Sequence, residues 1–202
     1  MDWYNKKLLP KILNAGMLQK EVKAERAAHI TPYARGVVLD VGAGSATNFP
    51  YFGAHVTKVI ALEPSRELWD LGAERVAVAP FVVEYVQASA EDIPLADASV
   101  DTVVTALTLC SIPNVKKALS EIRRVLKPGG VYAFVDHGLA PNKWQKRFQK
   151  LLNPIQKPFL GGCNWDRPID QLITEAGFDL QEATVGYGFG PLIYLYRGHV
   201  IK

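Results

Sequence analysis

The sequence predicts an α/β fold: a doubly wound, mostly parallel seven-stranded sheet, with one antiparallel strand supplied by a C-terminal hairpin. Three observations predict it. The run Val37-Val38-Leu39-Asp40-Val41 breaks into Gly42-Ala43-Gly44, the strand-to-glycine transition with which open α/β sheets bring backbone against a ligand. Apolar β-branched runs then alternate with stretches of helical period through residue 136, which implies parallel strands joined by right-handed crossovers. Last, two apolar runs flank the short turn Gly186-Tyr187-Gly188-Phe189-Gly190-Pro191, and a hairpin there forces one strand antiparallel to the rest.

Taken in order, residues 3–29 set Leu8, Leu9, Ile12, Leu13, Met17, Leu18 and Val22 among Lys, Glu and Gln. This gives one or two amphipathic helices, ended by Thr31-Pro32. Strand one occupies 36–41 and strand two 58–62, with a helix between them that begins in the glycine loop. Ser65 is placed as N-cap of a helix running to about residue 78. Strand three spans 82–87. After a loop at 88–99, strand four spans 100–106, and its β-branched composition suits burial on both faces. The next helix gathers Val115, Ala118, Leu119, Ile122, Val125 and Leu126 on one side, with Lys116, Lys117, Glu121 and Arg124 largely on the other. Pro128-Gly129-Gly130 stops it, and strand five is 131–136. Segments 142–152 and 167–176 read as helices, 179–187 and 192–201 as strands.

With 202 residues, 49% hydrophobic and 21% charged, the span 1–202 is expected to form one domain. It divides into a helical cover (1–35), a ligand-binding half (36–137) and a second half of helices plus the hairpin (138–202). A formal charge of +3 lacks the dense basic face of a nucleic-acid binder, so nucleic acid is not an expected partner. No apolar stretch at the start is long enough for a signal peptide or membrane span, and a cytoplasmic location is expected. Cys110 and Cys163 are far apart in sequence and are read as reduced thiols. His29, His55 and His199 are scattered, so no metal is expected.

Gly42 and Gly44 permit close backbone approach to a ligand, and Asp40 is placed to order the loop or to reach a ligand ammonium through water. Glu63, at the end of strand two, offers two acceptor oxygens to the paired hydroxyls of a ribose; the alternative is an ordinary exposed loop carboxylate. Thr47 stands where a dinucleotide loop would carry its last glycine.

The segments Val38-Leu39-Asp40-Val41-Gly42-Ala43-Gly44, Glu63, Ala88-Ser89-Ala90-Glu91-Asp92-Ile93-Pro94-Leu95, Ser99-Val100-Asp101-Thr102-Val103-Val104 and Arg124-Val125-Leu126-Lys127-Pro128-Gly129-Gly130 resemble, in order and spacing, class I S-adenosylmethionine-dependent methyltransferases. The resemblance covers about residues 36–136. It implies a Rossmann-like sheet and S-adenosyl-L-methionine as cofactor, leaving S-adenosyl-L-homocysteine as product. The residues implied to hold it are Asp40, Gly42, Ala43, Gly44, Glu63 and Pro64, with Ser89, Ala90, Glu91 and Leu107 around the adenine. Ala46 departs from the third glycine common in that family. Further along, Leu107-Thr108-Leu109-Cys110-Ser111-Ile112, Asp136-His137, Trp144, Pro154, Gly162-Cys163-Asn164, Arg167 and Ala176-Gly177-Phe178 resemble one branch of it. That branch holds animal membrane-associated thiol S-methyltransferases and soluble bacterial relatives, some labelled phospholipid N-methyltransferases.

Methyl transfer is an in-line displacement, for which an enzyme mainly aligns the reactants and excludes water. A thiol, with an ordinary pKa of about 8.5, needs little further help. The expected acceptor is therefore a small, fairly apolar molecule, with a thiol sulfur favoured. The alternatives are an ethanolamine headgroup or another small amine, and, in another class, a cofactor-binding protein without catalysis. His137, past strand five at the carboxyl edge, is the candidate base, or a histidine that merely bonds a loop. Asp136 is placed to orient it, to bind cofactor or to cap the strand. Cys110 reads as a thiol nucleophile or a small buried residue, and Cys163 and Asn164 as pocket rim. Trp144, Phe148, Leu151, Leu152, Ile155 and Phe159 alternate with Lys143, Lys146, Arg147, Lys150 and Lys157. That pattern is read first as a lid with Trp144 over the acceptor pocket, and second as a face lying on an anionic membrane. The sequence does not specify an oligomeric state.

Overall fold

Strands that are buried on both faces must send alternate side chains into two different apolar layers, and this chain does so residue by residue. A computed structural model describes residues 3–180, 183–188 and 190–202. Its sheet is formed by β1 (Gly36–Val41), β2 (Val56–Leu62), β3 (Val82–Val86), β4 (Val100–Ala106), β5 (Leu126–Gly138), β6 (Thr184–Gly188) and β7 (Gly190–Ile201), in the spatial order 3-2-1-4-5-7-6. Strands β1 to β5 are parallel, and β7 runs antiparallel to both β5 and β6. The one reversed strand is the one expected. Gln181 and Glu182 of the last expected pair of strands, and Phe189 of the expected turn, lie outside the described residues.

Leu39, Val41, Ile60 and Leu62 face the layer that contains Leu119 and Ile122 of α5 (Val115–Val125) and Ile169 and Ile173 of α7 (Ile169–Glu175). Val38, Val59, Ala61 and Val104 point the other way, onto Ile30, Phe49, Phe52 and Trp69. The N-terminal segment forms a π-helical turn, Tyr4–Leu8, and the helices α1 (Leu9–Met17) and α2 (Lys20–His29). Tyr33 stacks on His199 with ring centroids 3.9 Å apart, and Arg197 of β7 pairs with Glu25 of α2, fixing α2 against the sheet.

Four expected helices differ from those found. Between β1 and β2 the chain makes turns and a single 3-10 turn, Phe49–Tyr51, because Gly42, Ala46 and Gly44 all take positive φ (67°, 58° and 54°), which no α-helix accommodates. The helix capped by Ser65, whose side chain accepts from the Leu68 N–H, is divided into α3 (Arg66–Asp70) and α4 (Ala73–Ala77). Gly72 at the break lies against the Ser45 backbone, so closely that a Cβ would not fit. Helix α6 (Lys143–Gln156) runs four residues past the expected end, through Pro154. Helix α5 stops at Val125 rather than at Pro128, since β5 already begins at Leu126.

Candidate active site

At the carboxyl ends of β1, β2 and β4 the sheet opens into a cavity of about 360 Å³, the place where doubly wound sheets collect ligands. Gly42, Ala43 and Gly44 form one wall, Glu63 and Pro64 a second, Ser89, Ala90 and Leu107 a third. These are eight of the ten residues expected to hold the cofactor. Gly42 has no room for a side chain, which would strike Thr108. The loop is pinned by the Gly42 and Ala43 N–H groups, both donating to the Leu62 carbonyl (2.8 and 3.1 Å).

Glu63 is buried, not an exposed loop acid, with 6% of its surface accessible. Its Oε2 accepts from the Gly44 N–H at 3.0 Å and its Oε1 from the Ser65 N–H at 2.8 Å. Each oxygen keeps a second lone pair for a ligand hydroxyl. Burial raises its pKa, while the two backbone donors oppose that.

Asp40 and Glu91 do not line the cavity. Glu91 instead accepts from the Asn114 N–H at 2.8 Å, at the start of α5. Asp40 is fully buried behind the glycine loop; its Oδ1 accepts from Asn48 Nδ2 at 2.7 Å, and its Oδ2 has no hydrogen-bond partner among the described residues. Burial pushes its pKa up to about 7, against the Asn48 hydrogen bond and the Arg26 charge.

Arg26 was not anticipated from the sequence. It is 2% exposed, borders the cavity, and donates to Asn48 Oδ1 (2.6 Å), the Met17 carbonyl (2.8 Å) and Thr47 Oγ1 (3.1 Å). A fixed cation thus faces the same chamber as the buried Glu63 carboxylate. A solitary arginine in an otherwise amphipathic helix carries no local signature. Helix α1 closes the cavity with Leu9, Pro10, Leu13 and Met17, and Asn14 anchors it by accepting from Ser45 Oγ and Arg75 (2.6 and 2.9 Å).

A second chamber of about 220 Å³ adjoins the first, and Leu13, Met17, Leu107 and Ser111 border both. Leu107 holds φ at 59°, a left-handed backbone that costs a leucine about 1–2 kcal/mol. Cys110, His137 and Cys163 line this chamber together with Trp165 and Leu160. His137 Nδ1 is 3.4 Å from Cys163 Sγ. Burial and the neighbouring Cys163 thiol push the Cys110 thiol up, the hydrogen bond from Cys163 counting most. The sequence reading named these three residues separately. Adjacent strands β4 and β5 both end here, which is what brings Cys110 to His137.

Three other expected residues do something else. Asp136, a neighbour of His137 on β5, points to the opposite side and borders neither chamber. It accepts from Thr105 Oγ1 (2.7 Å) and from the Thr108 and Leu109 N–H groups (2.6 and 2.7 Å). It therefore holds the loop after β4, and burial raises its pKa to about 6. Asn164 is a clasp, donating from Nδ2 and from its backbone N–H to the Cys110 carbonyl, each at 2.8 Å. Trp144 lines no chamber; it is 76% exposed, as are Phe148 (54%), Leu151 (67%) and Ile155 (64%). The face that α6 turns inward is polar. Gln149 accepts from the Ala140 N–H (2.8 Å), and Asn153 bonds Asp166 (2.8 Å) and the Trp165 N–H (3.0 Å). The cover over the site is α1, not α6.

Residues 39–134 match the family described as a methyltransferase domain. Human thiol S-methyltransferase TMT1A is 32% identical over 147 residues, 70% of this chain and 59% of the relative. The ubiquinone/menaquinone biosynthesis C-methyltransferase UbiE of Rubrivivax gelatinosus is 32% identical over 130 residues, 64% of this chain and 50% of the relative. The chain thus spans between half and three fifths of the length of these relatives. Among solved structures, a chain from the Haloferax volcanii complex between the Trm112 methyltransferase activator and a methyltransferase superposes with a TM-score of 0.71 at 15% identity, over 99% of this chain and 96% of that one. This last likeness is one of fold.

Proposed function

We propose, on the premise that this chain carries the methyltransferase domain of the S-adenosylmethionine-dependent class, that it transfers a methyl group to a small, fairly apolar acceptor, a thiol sulfur. The observation that carries the reading is the pair of adjoining chambers: one holds a buried carboxylate and a glycine loop, the other is largely apolar and holds Cys110, His137 and Cys163. The residues fit the cofactor. Glu63 would take the ribose hydroxyls, Ser89, Ala90 and Leu107 the base, and the Gly42-Ala43-Gly44 backbone the amino-acid end. Arg26, which borders the same cavity, answers a carboxylate there. When bound, the cofactor supplies a methyl carbon on a sulfonium, whose C–S electron pair returns to the donor sulfur as the acceptor sulfur forms its new bond.

What the chain contributes is alignment, exclusion of water and the handling of one proton. Leu13, Met17 and Leu107 line the passage between chambers with aliphatic surface, so the reacting sulfur meets the methyl carbon out of water. His137 is within the acceptor chamber, placed to take the proton that the thiol must lose. A relative called a thiol S-methyltransferase supports the sulfur reading. The C-methyltransferase relatives make carbon a competing acceptor, and the outward apolar face of α6, edged by lysines, favours a membrane-borne amine as the second reading. Incubation with isotopically labelled cofactor and matched panels of thiols, amines and quinols, read by mass spectrometry, tests this. Label on thiols is expected; label on amines or quinols alone overturns the sulfur assignment.

A further inference from the structure

The cluster in the second chamber has the composition and spacing of a metal-binding set. One ligand atom from each of Cys110, His137 and Cys163 lies within 4.8 Å of the other two, and His137 Nδ1 is 3.4 Å from Cys163 Sγ. A tetrahedral ion with sulfur at about 2.3 Å and nitrogen at about 2.0–2.1 Å separates such neighbours by about 3.5 Å. The three ligands come from three different parts of the fold, and the backbone at both cysteines is braced from behind. Asp136 holds the Thr108 and Leu109 N–H groups, Arg167 donates to the Leu109 carbonyl, and Asn164 grips the Cys110 carbonyl. Gln156 Nε2 donates to the Cys163 carbonyl at 2.6 Å. Outer contacts of this kind fix ligand orientation in metal sites. All three side chains also border open space, so a fourth position would face the chamber.

We propose that Cys110, His137 and Cys163 bind a zinc-class divalent cation whose open position receives the acceptor sulfur. The second half of this rests on the thiol reading above; the first does not. Two thiolates and a neutral imidazole balance the ion's charge, and three protein ligands with one open place is the arrangement of catalytic rather than structural zinc. The two cysteine protons leave to solvent as the ion binds. The acceptor's S–H proton likewise passes to water or to a basic buffer species as its sulfur lone pair takes the fourth position. Nothing is oxidised or reduced. The Arg167 guanidinium, which feels both cysteine thiols, offsets the charge added by a third thiolate. In this arrangement His137 holds the ion rather than the proton, and the metal does the acidifying.

Cobalt reconstitution tests it. Protein stripped with a chelator and reloaded with Co²⁺ is expected to take one ion per chain. It should show sulfur-to-cobalt charge transfer in the near ultraviolet and the intense visible bands of a tetrahedral ion. In Cys110→Ser and in Cys163→Ser the affinity should fall at least a hundredfold, beyond the roughly 10–100-fold cost of losing an outer contact. Circular dichroism and calorimetric affinity for S-adenosylhomocysteine should stay at wild-type values, showing that the variants are folded. A small alkyl thiol should shift the visible bands, and a small amine should not. Cobalt bound equally by the double serine variant, or not bound by wild type, overturns the site. Bands unmoved by thiol overturn its acceptor role. Full thiol methylation by metal-free protein removes the metal from the reaction and keeps the sulfur reading, whereas cobalt bands with methylation of amines alone keep the site and remove the sulfur reading.

Discussion

Glu63 is where local sequence and site chemistry agree most closely. A carboxylate one βα unit past a glycine loop was legible as a residue of the cavity, where Glu63 is found; paired hydroxyls are its proposed ligand, and its burial against two backbone N–H groups adds a structural duty. Glu63→Ala should therefore weaken S-adenosylhomocysteine binding at least tenfold in calorimetry and lower the melting temperature too. Each buried donor left unpaired costs about 1–3 kcal/mol. His137→Ala should lower kcat by roughly a hundredfold, within the usual range for a lost proton acceptor and in the same direction where the imidazole holds the proposed ion, while affinity for the cofactor product stays unchanged; equal losses in both would show a collapse of the loop instead. Arg26 was invisible in the sequence for a physical reason. Its partners, Asn48, Thr47 and the Met17 carbonyl, come from a loop and a helix end that meet only once the chain is folded.

Among the elements, β1 to β4 were read to within two residues because a buried strand leaves a continuous apolar run, whereas β5 begins five residues before the expected 131, ahead of Pro128-Gly129-Gly130, and β6 begins five residues after the expected 179. Helices were read less well. The break at Gly72 depends on contact with Ser45, which no periodicity reports. Helix α6 misled in a more instructive way. Its stripe of Trp144, Phe148, Leu151 and Ile155 has the spacing of a core-facing side, yet the core-facing side carries Gln149 and Asn153, whose amides satisfy the carbonyls and N–H groups of the loops beneath. An apolar face flanked by Lys143, Arg147, Lys150 and Lys157 and open to the outside matches the chemistry of an anionic bilayer. On that proposal, wild-type protein should co-sediment with phosphatidylserine vesicles at low salt. A Trp144→Ser, Phe148→Ser variant should remain in the supernatant while methylating soluble acceptors at the wild-type rate; vesicle binding unaffected by the substitutions would refute the contact.

At the scale of the whole molecule, the same sheet edge that collects the ligand groups also concentrates buried acids. Asp40 and Asp136 have folded-state pKa values raised by burial to about 7 and about 6, above those of the unfolded chain. Their contribution to stability is therefore complete below the ordinary carboxylate range and is lost as pH rises through about 6 and 7. Each unit of such a shift is worth about 1.4 kcal/mol, or roughly 3–6 °C in a chain of this size. Thermal melts of ligand-free protein should accordingly fall from about pH 5.5 to about pH 8 more steeply than those of Asp40→Asn. Superimposable pH profiles would remove Asp40 as their source. The parallel run of β1 to β5, the reversed β7 and the position of the cavity at the carboxyl rim were legible from chain alternation and the C-terminal turn; the spatial order of the strands was not. The N-terminal helical cover was expected too, but not its anchorage, since α1 is held at the cavity through Asn14, Ser45 and Arg75, side chains distant in sequence.

Leu107 stands between the two chambers on a backbone better suited to glycine. The fold would accept the smaller residue with little harm, for the relief of an unfavourable dihedral offsets much of the lost packing. The two compartments would then merge, and molecules too bulky for the smaller one would find room. Beside Leu13 and Met17, which stay at the opening, Leu107→Gly is accordingly expected to broaden the range of molecules the second compartment admits.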